Sequence, residues 1–155
     1  MNTDIIEQLN GMGIKAALYG SVSHGTPNPS DIDIAVCDNE ADESKSAETV
    51  LNELGFVAVK EWNEMYDGEC VLLIMEKKDT DSGKMIQAVI FSNEWYGRAL
   101  IANSIIGDII KNRGIKFSAA KQLQTLLTLR DGRHAVFAVI EEAFIRERKA
   151  VDNGN

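Results

Sequence analysis

Two apolar runs, one ending at Ala17-Leu18-Tyr19 and one at Ile34-Ala35-Val36, enclose a stretch that opens with Gly20-Ser21 and closes, after nine intervening residues, with Asp31-Ile32-Asp33. No other feature constrains the fold as much. In an extended segment the side chains at i and i+2 share a face, so Asp31 and Asp33 point one way while Ile32, Ile34 and Val36 fill the other positions. Two carboxylates held side by side repel each other unless a divalent cation or a proton lies between them. Gly20 lets the backbone approach a ligand closely, and Ser21 offers a hydroxyl and a turn N–H to phosphate oxygens. Singly, a Gly-Ser turn is most often only a turn and an Asp-x-Asp at a strand start only an exposed pair. Joined at this spacing, they can set a phosphate cradle beside two hard oxygen ligands.

The rest of the chain supplies a scaffold for such a pair. Ile5, Ile6 and Leu9 recur at helical spacing over Asn2 to Asn10, and Gly11 and Gly13 stop that helix before a strand from Ile14 to Tyr19. After the turn-rich Gly25-Thr26-Pro27-Asn28-Pro29-Ser30 comes a strand from Asp31 to Val36. A helix is expected over Ala41 to Leu54, with Ala47, Val50, Leu51 and Leu54 on one face and Gly55 at its end. Strands are expected over Phe56 to Trp62, Cys70 to Glu76 and Lys84 to Phe91, the last two joined as a hairpin through the polar run 77–83. From Asn93 the period turns helical: Trp95, Leu100, Ile101, Ile105, Ile109 and Ile110 mark one long helix, and Ala119 to Leu129 and Ala135 to Ile145 two more, with breaks at Gly114 and Gly132. This order predicts an α+β fold, a mixed sheet of about five strands flanked by helices. Residues 1–92 form its core, 93–150 are C-terminal helices packed on it within a single compact domain, and 151–155 are a tail.

Composition narrows the function classes. The chain has 155 residues, is 45% apolar and carries a formal net charge of -8, which fits one globular domain. Met1 to Leu9 lacks a basic start and an apolar stretch, and no run approaches a membrane span, so a soluble cytoplasmic protein with no membrane partner is expected. Cys37 and Cys70 stand apart without ligand spacing, and both are expected to be reduced and buried. Charge is uneven: seven basic residues against 19 acidic up to residue 110, then nine against four over 111–149. The acidic body disfavours broad nucleic-acid binding, which relies on Lys and Arg at phosphates. The basic end (Lys111, Arg113, Lys116, Lys121, Arg130, Arg133, Arg146, Arg148, Lys149) reads as a solvated helix surface, or as a patch for a triphosphate or an acidic surface.

The run from Lys15 to Val36, with its apolar strand, Gly20-Ser21, Gly25 in the turn and Ser30-Asp31-Ile32-Asp33-Ile34, resembles the signature of the DNA polymerase beta-type nucleotidyltransferase superfamily. It is most similar to small bacterial members, the antibiotic nucleotidyltransferases and the minimal, antitoxin-type ones. The resemblance implies a nucleotidyltransferase-like sheet, with Asp31 and Asp33 as catalytic and metal (Mg²⁺) ligands and Gly20 and Ser21 as nucleotide-binding residues. It further implies transfer of a nucleoside monophosphate from a nucleoside triphosphate, such as ATP, to a hydroxyl on a small molecule or a protein. The order of elements extends the likeness loosely to Phe91, and nothing beyond Asn93 belongs to it. Family members usually carry a third acid on a later strand, and the aligned position in Met85 to Phe91 is Gln87, which cannot act as a base. Glu69 or Glu76 would supply the missing charge if either faces Asp31 and Asp33; strand period alone leaves the choice open. The alternative reading is a nucleotide-binding or regulatory module without turnover, antitoxin-like in pairing with a protein partner.

His24, inside the turn, is placed to meet a phosphate or an acceptor, although a lone turn histidine is more often just exposed; His134 has no evident partner. Trp62, Trp95 and Tyr96 have the rings to stack a base, but their spacing fits core positions better.

Overall fold

The chain, in a computed structural model that describes residues 4–26, 28–38, 46–60 and 71–113, folds as α1 (Asp4–Gly11), β1 (Ala16–Tyr19), α2 (Gly20–Ser23), β2 (Asp31–Cys37), α3 (Ala47–Glu53), β3 (Val57–Ala58), β4 (Val71–Lys78), β5 (Met85–Phe91) and α4 (Asn93–Arg113). The class is α+β. The five strands make one mixed sheet in the order β1-β2-β5-β4-β3. β2 and β5 are parallel, and the β1–β2, β4–β5 and β3–β4 pairs are antiparallel. The hairpin over the polar run is present. Asp79 N–H bonds the Lys84 carbonyl at 2.8 Å, and the Asp79 carboxylate accepts from the Ser82 N–H at 3.0 Å and from its hydroxyl at 2.5 Å. A carboxylate only 5% exposed is thereby satisfied by its own turn.

Alternation along the strands sorts the side chains into two layers. One face presents Ile32, Ile34 and Val36 of β2, Ile86, Ala88 and Ile90 of β5 and Met75 of β4 to Ile5 and Leu9 of α1, Val50 and Leu51 of α3, and Phe56. The other face presents Ala35, Val71, Ile74 and Phe91 to Trp95 and Ala99 of α4, and Tyr19 meets Phe91 edge-on at 5.7 Å between ring centres. Cys37 is buried, as expected. No described helix is long and apolar enough to cross a membrane.

Several boundaries move for local reasons. β1 starts at Ala16 rather than Ile14, because the Ile14 N–H turns back to the Leu9 carbonyl at 2.9 Å to close α1. α3 is described from Ala47, with Ser46 as its cap: the Ser46 hydroxyl accepts from the Thr49 N–H at 3.2 Å. β3 starts at Val57 rather than Phe56, since the Phe56 N–H is spent on the Leu51 carbonyl at 2.9 Å at the end of α3. Lys77 Nζ donates to the Leu54 carbonyl at 2.6 Å, a cation meeting the carbonyl end of that helix. The helices expected over 119–129 and 135–145, together with Trp62, Glu69, Cys70, His134 and the basic end beyond Arg113, lie outside the described residues.

Candidate functional site

Antiparallel pairing sets Tyr19, the last residue of β1, opposite Asp33 of β2, so the chain must bend away immediately beside that acid. It does so at Gly20, with φ of +65°, and runs into the single turn of α2. A Cβ added to Gly20 would stand 2.7 Å from Asp33 Oδ2. A side chain here would push the Asp33 carboxylate aside and would also adopt a left-handed backbone that L side chains disfavour. The glycine is therefore what lets the bend and the acid meet. Asp31 lies two residues before Asp33 on the same face of β2; both are half-buried, and Ser30 Oγ donates to Asp31 Oδ2 at 3.4 Å. Ser21, half-buried, follows directly on the bend. The structure thus brings Gly20, Ser21, Asp31 and Asp33 to one end of the α4-covered face.

The register across the sheet settles where the neutral residue sits. Asp33 pairs with Gln87 on β5, and Gln87 pairs with Glu76 on β4, so Tyr19, Asp33, Gln87 and Glu76 form one row on the α4 side. The Gln87 amide Nε2 donates to Glu76 Oε1 at 2.6 Å. Glu76 is one strand further from Asp33 than Gln87, which puts its backbone about 10 Å from that of Asp33 at ordinary strand spacing. Of the two acids considered, Glu76 shares the row; Glu69 is outside the described residues. Among the described residues no group of three or more His, Cys, Asp or Glu side chains comes together as a metal site. Two hard carboxylates on one strand face, beside a backbone left open by a missing Cβ, are nonetheless a donor set that suits a small divalent cation sharing its remaining positions with water and phosphate.

Reading the sequence missed what holds the bend. Asn103, 7% exposed on α4, accepts the Gly20 N–H on its Oδ1 at 2.9 Å and donates from Nδ2 to Ser23 Oγ at 2.8 Å. Ser23 Oγ in turn donates to the Gly20 carbonyl at 2.7 Å. The Gly20 N–H is therefore committed to the protein. His24 does not face the acids: its Nε2 lies 3.0 Å from the Asn103 carbonyl, and a Cβ on Gly107 would come within 3.0 Å of its Cδ2. Against a carbonyl, that nitrogen carries the proton. The signal in the sequence was a polar residue at position 103, in step with Trp95, Ala99, Ala102 and Ile106 on the buried side of a helix.

A cavity of about 590 Å³ opens behind the loop, lined by Val22, Gly25, Thr26, Ile32, Asp79 and Lys84 among others. None of Gly20, Ser21, Asp31 and Asp33 lines it, so it is a neighbour of the site and not the site itself. No protein-family model matches the chain, and no curated protein is significantly similar to it.

Proposed function

We propose that the protein is a nucleotidyltransferase of the DNA polymerase beta type, moving a nucleoside monophosphate from a nucleoside triphosphate to a hydroxyl on a small molecule or protein. The observation that carries this reading is the contact of the Gly20 bend with the Asp33 carboxylate, because a phosphate-facing turn and metal-binding acids are useful to a triphosphate only when they adjoin. Asp31 and Asp33 would hold Mg²⁺, whose chemistry when bound is to neutralise charge on the phosphate oxygens. Ser21 would donate its hydroxyl to the phosphate tail, and the bend would fix that tail in line with the acceptor. The acceptor oxygen then bonds to the α-phosphorus as pyrophosphate leaves. Its proton goes to Glu76, the carboxylate in the row, which the Gln87 amide orients through one oxygen and leaves the other free to accept.

A second reading has its own support. With Gln87 directly beside Asp33, the position nearest the acids carries no charge, as in a module that binds nucleotide and regulates a protein partner without turnover. Incubation with labelled ATP and Mg²⁺ separates the two. The enzyme reading expects label on an acceptor, lost in Asp31→Asn and Asp33→Asn and strongly reduced in Glu76→Gln. The binding module expects a rise in melting temperature with Mg-ATP and no product. If the Asp31 and Asp33 variants bind metal and nucleotide like the parent, both readings fall.

A further inference from the structure

We infer that Asn103 is a positioning residue for the bend, so that α4 is part of the nucleotide site and not only a cover for the sheet; this rests on the reading of Gly20 and Ser21 as nucleotide-binding. An asparagine in a helix interior is a poor choice by propensity, and burying its carboxamide is unfavourable unless every polar atom finds a partner. Here the carboxamide closes a ring. The Gly20 N–H donates to Asn103 Oδ1, Asn103 Nδ2 donates to Ser23 Oγ, and the Ser23 hydroxyl donates to the Gly20 carbonyl.

The chemistry fixes the direction of each bond. Gly20 N–H can only donate, so it takes the carboxamide oxygen; Ser23 has spent its one proton on Gly20 and can only accept from the nitrogen. Aspartate would keep the first bond and lose the second donor, and leucine would lose both. Both backbone polar groups of Gly20, the residue that touches Asp33, are therefore held by this ring. A second bond from the bend region lands on the same residue, His24 Nε2 on the Asn103 carbonyl at 3.0 Å. The close approach of α4 is permitted by Gly107, where even a Cβ would stand 3.0 Å from the His24 ring. A four-residue helical turn has too few internal hydrogen bonds to hold itself, so its place beside Asp33 is set from α4.

The test compares Asn103→Leu, Asn103→Asp and Ser23→Ala, with Ile101→Ser, exposed on the same helix, as a control. Mg-ATP affinity is measured by calorimetry and Gly20 amide exchange by NMR, below the melting temperature of every variant. Loss of the ring is expected to weaken nucleotide binding by about tenfold and speed Gly20 exchange by about the same factor in Asn103→Leu. Asn103→Asp should recover part of both, and Ile101→Ser should change neither. A folded Asn103→Leu variant with parental affinity and parental Gly20 exchange overturns the inference; if that variant does not fold, Ser23→Ala and Asn103→Asp decide by the same two readouts. Should the parent itself bind no nucleotide, the proposed function fails, and Gly20 exchange alone then decides whether Asn103 holds the bend.

Discussion

At Gly20 two independent demands meet on one backbone position. Its φ of +65° and the 2.7 Å from a virtual Cβ to Asp33 Oδ2 mean that Gly20→Ala adds a left-handed penalty of about 1–2 kcal/mol to a direct clash with the acid. The expected outcome is a lower urea midpoint, together with loss of Mg-ATP binding beyond what the stability change explains. A circular-dichroism melt and a calorimetric titration of the same sample check both halves. Gln87 shows the reverse situation, a residue whose type was legible and whose role was not. That it takes the position of the family's third acid was implied by the resemblance, while its place beside Asp33 is set by the β2–β5 register. That its amide would be turned onto Glu76 depended on the β4–β5 register, which a period of two does not specify.

Among the elements, the caps and turns follow local chemistry closely. α3 begins at Ser46, whose hydroxyl takes the Thr49 N–H, so Ser46→Ala should cost about 1 kcal/mol, read as a shift in chemical-denaturation midpoint with nucleotide affinity unchanged. Ser46→Asp should restore most of it. The long helix is where apolar period misleads. Ile101 and Ile105 helped to mark it, yet Ile101 is 63% and Ile105 37% exposed, while Ala99 and Ala102 are buried. Large aliphatic residues signal that a helix exists; the side that packs is decided by how closely it must approach. Small side chains at 99, 102 and 107 let α4 come near enough for Asn103 to reach Gly20 across 83 residues of chain. The strand expected from Phe56 starts one residue later, at Val57, because the N–H of Phe56 is claimed by the preceding helix.

Among the described residues the sheet lies between two helical layers, and the α4 side carries both the candidate site and the half-buried phenol of Tyr96. Burial, and to a lesser degree the neighbouring Cys37 when ionised, pushes the Tyr96 pKa above its ordinary value of about 10. The folded state then holds this proton at a pH where the unfolded chain has released it. Its contribution is complete below about pH 10 and is lost as pH rises from there through the folded value. Denaturation series between about pH 9 and about pH 11 should therefore show stability falling on the alkaline side, and Tyr96→Phe should flatten part of that fall. An unchanged slope in the variant would assign the alkaline loss to other groups.

The sequence by itself determined the elements near the site and their order: strand, glycine bend, paired acids on one face, crossover helix, hairpin, long helix. Those follow from short-range rules, since side-chain alternation and the glycine requirement act within a few residues of the chain. Only the tertiary structure decided which groups meet. Asp33 against Gly20, Gln87 between Asp33 and Glu76, and Asn103 beneath the bend are contacts between segments distant in sequence. They are set by strand register and by the depth at which α4 packs, and neither quantity leaves a local pattern of hydrophobicity to read.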